Sequence, residues 1–224
     1  MDITYAFKSN CEVKLIDSMG SDLNIVNAAR VSFDKESHDF SDLDMKLLEY
    51  LAKHKHWSPF AHTSLSFRCE APIFLARQLV KHQVGGVWNE VSRRYVDYDP
   101  TFYWPQVFHK RAENAKQGCG EEVELISNNN YLHVLHDKSK EALQTYHWLL
   151  GNGVAPEEAR MVLPLNTMTE WIWTGSLMFF HRVWALRTEA HAQTIAREFA
   201  NELDKQILAS QYATSWEVLK EYYK

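Results

Sequence analysis

Residues 72–95 concentrate side chains that could bind an anion. The apolar residues after the opening proline predict a helix with one face in the core. Arg77 and Lys81 lie four residues apart in this helix. Gln78 and His82 have the same spacing, so the two pairs are expected to form adjacent rows on the polar face. Two positive charges at this spacing destabilise a helix by about 0.2–0.5 kcal/mol unless an anion lies between them. A solvated basic helix face is the alternative interpretation.

A polar loop is expected after this helix. Gly85 and Gly86 allow a tight turn or a close approach of the backbone to a ligand. An acid, a hydroxyl, two guanidiniums and a phenol follow within six positions, as Glu90, Ser92, Arg93, Arg94 and Tyr95. A guanidinium fork fits a phosphate through two hydrogen bonds, and a serine hydroxyl adds a donor. The loop therefore predicts a phosphate site, with nucleic acid as the competing ligand.

Two further arginines near the C-terminus could contribute to such a site. Arg160 lies at the end of a short helix that is stopped by Pro164, and taken alone it is more typical of a surface charge. Arg187 follows an apolar helix at a point where the chain turns. Because a guanidinium beside apolar surface is costly without a partner, we expect Arg187 to contact Glu189 or a bound anion.

The composition is that of a globular domain with a sizeable core, since 46% of the 224 residues are hydrophobic and 24% are charged. The formal net charge of −5 argues against a general nucleic-acid binder, so a phosphate site must be local. No membrane span or signal peptide is recognisable, so a cytoplasmic location is expected. Cys11, Cys69 and Cys119 form no CxxC pair and predict neither a disulfide framework nor a zinc motif.

The histidines suggest a weaker alternative, a metal-dependent hydrolase. His54 and His56 are two residues apart and His62 follows, but no nearby acid or cysteine completes a ligand set. His133 and His136 have a helical ligand spacing without a Glu-x-x-His partner. The sequence also contains no GxSxG, P-loop or GxGxxG motif. We therefore predict no metal site.

Apolar patterns predict one α+β domain over residues 1–224, with a central sheet and several helices. Alternating patterns predict strands at 2–7, 11–17, 63–69 and 165–174. Helical spacing and capping residues predict helices at 21–32, 43–54, 72–82, 131–150, 157–162, 176–187, 191–209 and 214–223. Residues 107–128 have mixed charge and no clear period, which is typical of a variable surface insertion.

Six motifs, taken together in their order and spacing, resemble the flavin-dependent thymidylate synthases. They are 27–33 (NAARVSF), 54–60 (HKHWSPF), 71–78 (APIFLARQ), 89–95 (NEVSRRY), 159–165 (ARMVLPL), and Leu186-Arg187 followed by His191-Ala192-Gln193. Each motif alone is a weak signal, whereas the set is highly specific and spans most of the chain. The resemblance implies an α+β fold and a homotetramer whose subunits share active sites.

The resemblance also implies a reaction, in which dUMP is reductively methylated to dTMP. Methylenetetrahydrofolate donates the carbon, reduced FAD supplies the hydride and NADPH reduces the flavin, so the expected partners are small molecules, not nucleic acid or membrane. The implied catalytic residue is Arg187, which polarises the uracil ring. The implied dUMP contacts are Arg77, Gln78, Lys81, Glu90, Ser92, Arg93, Arg94, Arg160 and Arg187. The implied FAD contacts are Ser58, Lys81, His82, Gln83, Glu90, Ser176 and Arg182.

The chain departs from the family pattern at Lys81-His82-Gln83, where Arg-His-Arg is usual. Lys81 keeps a charge without the planar fork, and Gln83 carries no charge. Eight residues instead of seven separate Gln83 from Ser92, and Ala61 stands where an acid is common. Besides the metal-dependent hydrolase, a flavoprotein with another substrate stays open. A nucleic-acid-binding module is the third alternative, and it would use Arg77, Lys81, Arg93 and Arg94.

Overall fold

A four-stranded sheet with the strand order β2-β3-β6-β4 forms the centre of the protein, in a computed structural model that describes residues 6–96, 98–112, 119–189 and 191–223. The strands are β1 (Phe7–Lys8), β2 (Glu12–Met19), β3 (Ser64–Pro72), β4 (Gly86–Glu90), β5 (Phe102–Tyr103) and β6 (Met168–Gly175). The helices are α1 (Asp22–Arg30), α2 (Asp42–Lys53), α3 (Ile73–Leu79), α4 (Leu125–Gly151), α5 (Pro156–Ala159), α6 (Leu177–Thr188), α7 (Thr194–Leu208) and α8 (Ala213–Tyr222). Short 3-10 helices follow α1, precede β3 and follow α5, at Val31–Phe33, Pro59–Ala61 and Arg160–Val162.

The neighbouring strands of this sheet are antiparallel, and one face of the sheet is buried under helices. In β3 the buried Phe67 lies opposite Trp173 of β6, which in turn lies opposite Trp88 of β4. Helix α7 packs against β2, and α6 and α8 pack against α7. A smaller second core joins α4 and α5 to β5 around Phe102 and Tyr146. The side-chain alternation of period two therefore decides which residues of each strand enter the core.

The predicted α+β architecture is confirmed, and most predicted elements lie within a few residues of the observed ones. The predicted strand at 2–7 falls mainly outside the described residues, which contain only the short β1 there. Helix α4 begins at Leu125, so the end of the predicted insertion at 107–128 is helical. Residues 113–118 of that segment also lie outside the described residues. Within the described ranges, no helix is long and apolar enough to cross a lipid bilayer.

The predicted helix at 72–82 is wrong at both ends. Pro72 keeps extended backbone angles, φ −65° and ψ 149°, because it is the last residue of β3 and pairs with Met168. Helix α3 then ends at Leu79, so Lys81 and His82 lie in the following turn. The two predicted rows, Arg77 with Lys81 and Gln78 with His82, do not form on one helix. A strand, β4, occupies the first part of the predicted polar loop, whereas the Ser-Arg-Arg segment that follows forms a turn as predicted.

The ring of Phe179 holds β4 and α6 together. Gly86 of β4 and Gly175 of β6 are cross-strand partners, and the ring lies over both. A Cβ atom at either glycine would overlap the ring. Gly85 has a φ of +85° and makes the turn into β4, whereas Gly86 is needed for this close packing. The close approach expected for the glycine pair is therefore to an aromatic side chain of the core.

We expect Gly175→Ala to lower the free energy of unfolding by about 1–3 kcal/mol, because the added methyl group overpacks a filled space. Urea unfolding monitored by tryptophan fluorescence would measure the change. Phe179→Leu in the same background should restore part of the loss. Gly151→Ala is the matched control, since its Cβ would meet no atom within 4 Å. An equal loss in both alanine variants would contradict the packing explanation.

Candidate active site

One cavity, of about 370 Å³, brings together three of the predicted site residues. Glu90 comes from the end of β4, Arg93 from the turn that follows, and Arg160 from the 3-10 helix after α5. Lys8 and Glu70 also line it and form a salt bridge of 2.5 Å with each other. Two guanidiniums, an ammonium and carboxylates thus face one space, which suits a ligand with an anionic end and hydrogen-bond donors.

The carboxylate of Glu90 is oriented by two donors. Thr169 donates from its hydroxyl at 2.7 Å, and Trp88 donates from its indole nitrogen at 3.2 Å. The Trp88 ring in turn stacks on Trp171, with centroids 4.2 Å apart and an angle of 17° between the planes. The sheet therefore fixes the carboxylate at the mouth of the cavity. Sequence reasoning missed Thr169 because the partner strand β4 was not recognised.

The Ser-Arg-Arg segment divides between the cavity and the surface. Arg93 is half-buried and donates to the carbonyl oxygen of Tyr98, and burial lowers the pKa of its guanidinium. Arg94 is exposed, lies over the ring of Tyr95 and donates to the hydroxyl of Ser92 at 3.3 Å. Of the two guanidiniums, that of Arg93 lines the cavity. Arg94 and Ser92 do not line this cavity.

Arg187 finds a partner that was not predicted. Its Nε and Nη2 atoms lie 3.1 and 2.9 Å from Nε2 of His82. Burial lowers the pKa of Arg187, and the charge of Glu189 opposes that shift. The side-chain partner in the structure is thus an imidazole and not the Glu189 carboxylate, while the contact with a bound anion stays a prediction. Burial and the neighbouring guanidinium lower the pKa of His82 to about 4, so the ring is neutral near pH 7.

A third group of predicted residues lies along the first half of α6. The Oγ of Ser176 caps this helix by accepting from the backbone N–H of Phe179 at 3.1 Å. The guanidinium of Arg182 lies 5.9 Å from the ring centre of Trp57, the neighbour of Ser58. The segment from Ser58 to Thr63 thus packs beside α6, where Thr63 accepts from the N–H of Leu177 at 2.9 Å.

The remaining predicted residues lie around α3. Arg77, Lys81 and Gln83 are exposed and belong to the same helix and turn as His82. Gln78 is half-buried, and its Oε1 is buried without a hydrogen-bond partner among the described residues. A buried acceptor without a donor costs about 1–3 kcal/mol, so this atom fits a donor supplied by a ligand or water. The individual chain therefore holds the cavity, the His82–Arg187 pair and the α6 start as separate clusters.

Two of the histidines considered for a metal site, His54 and His56, belong to an aromatic cluster. The rings of His54 and His56 lie 6.3 Å apart, and both contact the ring of Tyr50. In the described part of the chain, no three His, Cys, Asp or Glu side chains are arranged to hold a metal ion. Cys11 and Cys69 are free and buried, and Cys119 is free and exposed.

Comparison with known proteins places this geometry in a family. Residues 14–210 match the family Thy1, described as thymidylate synthase complementing protein. The flavin-dependent thymidylate synthase of Thermus thermophilus is 38% identical over 210 residues, which cover 94% of this chain and 76% of that protein. The enzyme of the same name from Thermotoga neapolitana is 39% identical over 193 residues, covering 86% and 83%.

A solved structure is similar over nearly the whole fold. The UMP/dUMP methylase PolB from Streptomyces cacaoi, bound with 5-Br dUMP, has a TM-score of 0.87 and 27% sequence identity, and the match covers 97% of both chains. The resemblance inferred from the six motifs is confirmed, and this chain belongs to the family of flavin-dependent thymidylate synthases.

Proposed function

We propose that this protein methylates dUMP reductively to dTMP, with methylenetetrahydrofolate as carbon donor and NADPH-reduced FAD as hydride source. The observation that carries this proposal is the cavity in which Glu90, Arg93 and Arg160 converge from three separate segments. A nucleoside monophosphate has the matching chemistry, since it joins a dianionic phosphate to a ring and sugar with hydrogen-bond donors. The named relatives of the family support the same reaction.

The residues of the cavity divide between the two ends of dUMP. The guanidiniums of Arg93 and Arg160 bind the phosphate, and the carboxylate of Glu90 accepts hydrogen bonds from the sugar or ring. Gln78 and Arg187 do not line this cavity in the single chain, so their proposed contacts with the uracil ring belong to a site that two copies of the chain complete. There, Gln78 supplies the unpaired amide oxygen for a donor on the uracil. Arg187 places its charge beside the ring and favours loss of the N3 proton, because a fixed cation stabilises charge that develops in the transition state.

FAD suits the polar groups around α6 and the turn after α3. The proposed contacts are Ser58, Lys81, His82, Gln83, Glu90, Ser176 and Arg182. The Arg182–Trp57 contact brings the 57–58 segment to α6, which supports a common site for these groups. The bound flavin supplies the hydride that the carbon unit needs to become a methyl group.

A homotetramer with shared active sites is part of this proposal. Arg77, Lys81, Ser92 and Arg94 do not line the cavity of their own chain, and we propose that they complete the site of a neighbouring copy. Large apolar side chains that are exposed on the single chain support association, among them Phe33, Ile126, Val134, Trp148 and Met161. Light scattering during size-exclusion chromatography would measure the mass, and a monomer at working concentration would contradict shared sites.

The proposed reaction is tested by turnover. Purified protein should take up FAD and convert dUMP to dTMP when methylenetetrahydrofolate and NADPH are present. Omission of any one component should stop product formation. If the protein takes up flavin but forms no dTMP, the alternative of a flavoprotein with another substrate is favoured. If it neither takes up flavin nor forms dTMP, the proposal is contradicted.

UMP is a second candidate substrate because the structural relative is titled a UMP/dUMP methylase. The same assay with UMP in place of dUMP would measure the ratio of kcat/KM for the two nucleotides. A ratio near one would extend the proposed function to both. Exclusive turnover of dUMP would restrict it to the deoxynucleotide.

We expect Arg160→Ala to weaken dUMP binding about 10–100-fold, since one charge-assisted hydrogen bond contributes about 1.5–3 kcal/mol. Its guanidinium donates to the Glu157 carbonyl at 3.2 Å, so its orientation is set by its own turn and the fold should persist. Calorimetric titration with dUMP would measure the change. Lys138→Ala on α4 is the control, because this exposed lysine pairs with a neighbouring acid, Glu141, in a contact of 2.7 Å and does not line the cavity. Unchanged affinity would return Arg160 to the class of surface charges.

A further inference from the structure

The contact between His82 and Arg187 joins segments that are 105 residues apart. His82 lies in the turn after α3, and Arg187 lies in the last turn of α6. Both atoms of one guanidinium edge, Nε and Nη2, approach the same ring nitrogen, Nε2. Contacts of 3.1 and 2.9 Å to a single acceptor hold the guanidinium in a defined plane.

The chemistry of the two groups fixes where the protons are. A guanidinium has five N–H donors and no acceptor, so His82 must accept through an unprotonated Nε2. The ring proton is then on Nδ1. A doubly protonated imidazole would place a second positive charge against Arg187 and remove the acceptor. Burial and the charge of Arg187, which lower the pKa of His82 to about 4, agree with this assignment.

We infer that His82 is a positioning residue for Arg187, and that its Nδ1–H tautomer orients the guanidinium for the substrate ring. This inference rests on the proposed function, because it gives His82 a role toward the nucleotide as well as the flavin. The Nε/Nη2 edge is occupied by the imidazole. One N–H of Nη1 and the second N–H of Nη2 lie side by side outside this contact, and they form the edge presented to a carbonyl oxygen.

The surroundings of His82 support a fixed ring. Its backbone N–H donates to the carbonyl of Leu79 at 3.0 Å, which closes the turn after α3. Its ring lies 6.5 Å from that of Trp173, which is buried in the core. Of the three residues Lys81, His82 and Gln83, His82 makes the contact that links this turn to Arg187. Its neighbours Lys81 and Gln83 are exposed. The turn after α3, which is proposed to contact the flavin, is therefore joined by hydrogen bonds to Arg187, which is proposed to contact the substrate.

Two amide replacements that differ in reach test the inference. The Oε1 of glutamine can take the place of Nε2, whereas asparagine is one methylene shorter and reaches only the place of Nδ1. We expect kcat for dTMP formation to be about tenfold or more lower in His82→Asn than in His82→Gln. Melting temperatures and FAD dissociation constants should be similar in the two variants. In an Arg187→Lys background, the gap should shrink to less than about twofold, because the edge that His82 holds is missing.

Equal kcat values in the two variants would overturn the inference, as would a tenfold gap that persists with Arg187→Lys. Nitrogen-15 spectra of the histidine rings give a readout that needs no turnover. At pH 7, His82 should show a protonated Nδ1 and an unprotonated Nε2, and a protonated Nε2 would overturn the inference. If the wild-type protein makes no dTMP, the proposed function fails while these spectra still decide the His82–Arg187 contact.

Discussion

Arg187→Ala is expected to lower the rate of dTMP formation by about 10²–10³-fold, which corresponds to about 2.7–4 kcal/mol of lost transition-state stabilisation. The proposed role is to oppose negative charge that develops on the uracil ring, and a half-buried guanidinium does so without reorganising solvent. Single-turnover measurement of dTMP at saturating dUMP would isolate this chemical step. The loss should appear mainly in kcat, because the proposed phosphate contacts of Arg93 and Arg160 are unaffected by the change.

Arg187→Lys separates charge from geometry in the same position. Lysine keeps the positive charge but lacks the planar fork that contacts His82, so an intermediate rate is expected. Lys205→Ala on α7 is the control for general loss of a positive charge, since this exposed lysine pairs with Glu202 of its own helix in a contact of 2.6 Å. Circular dichroism should show a folded protein in all three variants. A near-normal kcat in Arg187→Ala would contradict the proposed catalytic role of Arg187.

The sheet and most helices could be predicted because their apolar periods are strong. In β3, Leu65, Phe67 and Cys69 are buried and alternate with polar residues. Strand β4 was missed because it is an edge strand that begins with a glycine and carries Asn89 and Glu90 toward its end. Its stability comes from pairing with β6 and from the Phe179 ring, and neither contact leaves a local pattern in the sequence.

The site residues could be predicted by type, but their partners could not. Arg187 was expected to need a partner, since it lies beside apolar surface, yet the acceptor is 105 residues away in a turn that was predicted to be helical. Had α3 continued through His82, that ring would have followed Gln78 along the helix. The early end of α3 at Leu79 instead frees the chain to bring His82 to α6. The four-residue helical spacing therefore drew attention to the right residues but predicted the wrong relative positions for Gln78 and His82.

We expect Asp44→Ala to lower the free energy of unfolding by about 3 kcal/mol or more, because it breaks a buried ion pair and leaves several donors without an acceptor. Asp44 is 1% exposed and accepts from Nε and Nη2 of Arg30, from the Ser37 hydroxyl, and from the backbone and hydroxyl of Ser41. These bonds tie the end of α1 to the start of α2 across the 31–41 segment. Asn27 also holds this segment through the backbone of Ser37. Urea unfolding at pH 7 would measure the loss.

At acid pH, the wild type should lose its higher free energy of unfolding relative to the isosteric variant Asp44→Asn. Burial alone would raise the pKa of Asp44, but hydrogen bonds from Ser41, Arg30 and Ser37 outweigh it and lower the pKa from 3.8 to about 2. Because the folded value is depressed, the contribution is fully present above pH 3.8 and is lost as the pH falls toward 2. The difference in unfolding free energy between the wild type and Asp44→Asn should therefore be constant near neutral pH and disappear over that window.

Asp42→Ala is the matched control, since Asp42 is exposed in the same first turn of α2 and its loss should cost only about 0.3–1 kcal/mol. Two results would contradict the stabilising role of the buried Asp44 carboxylate. One is a difference between the wild type and Asp44→Asn that stays constant down to pH 2, and the other is an equal loss of unfolding free energy in Asp42→Ala and Asp44→Ala.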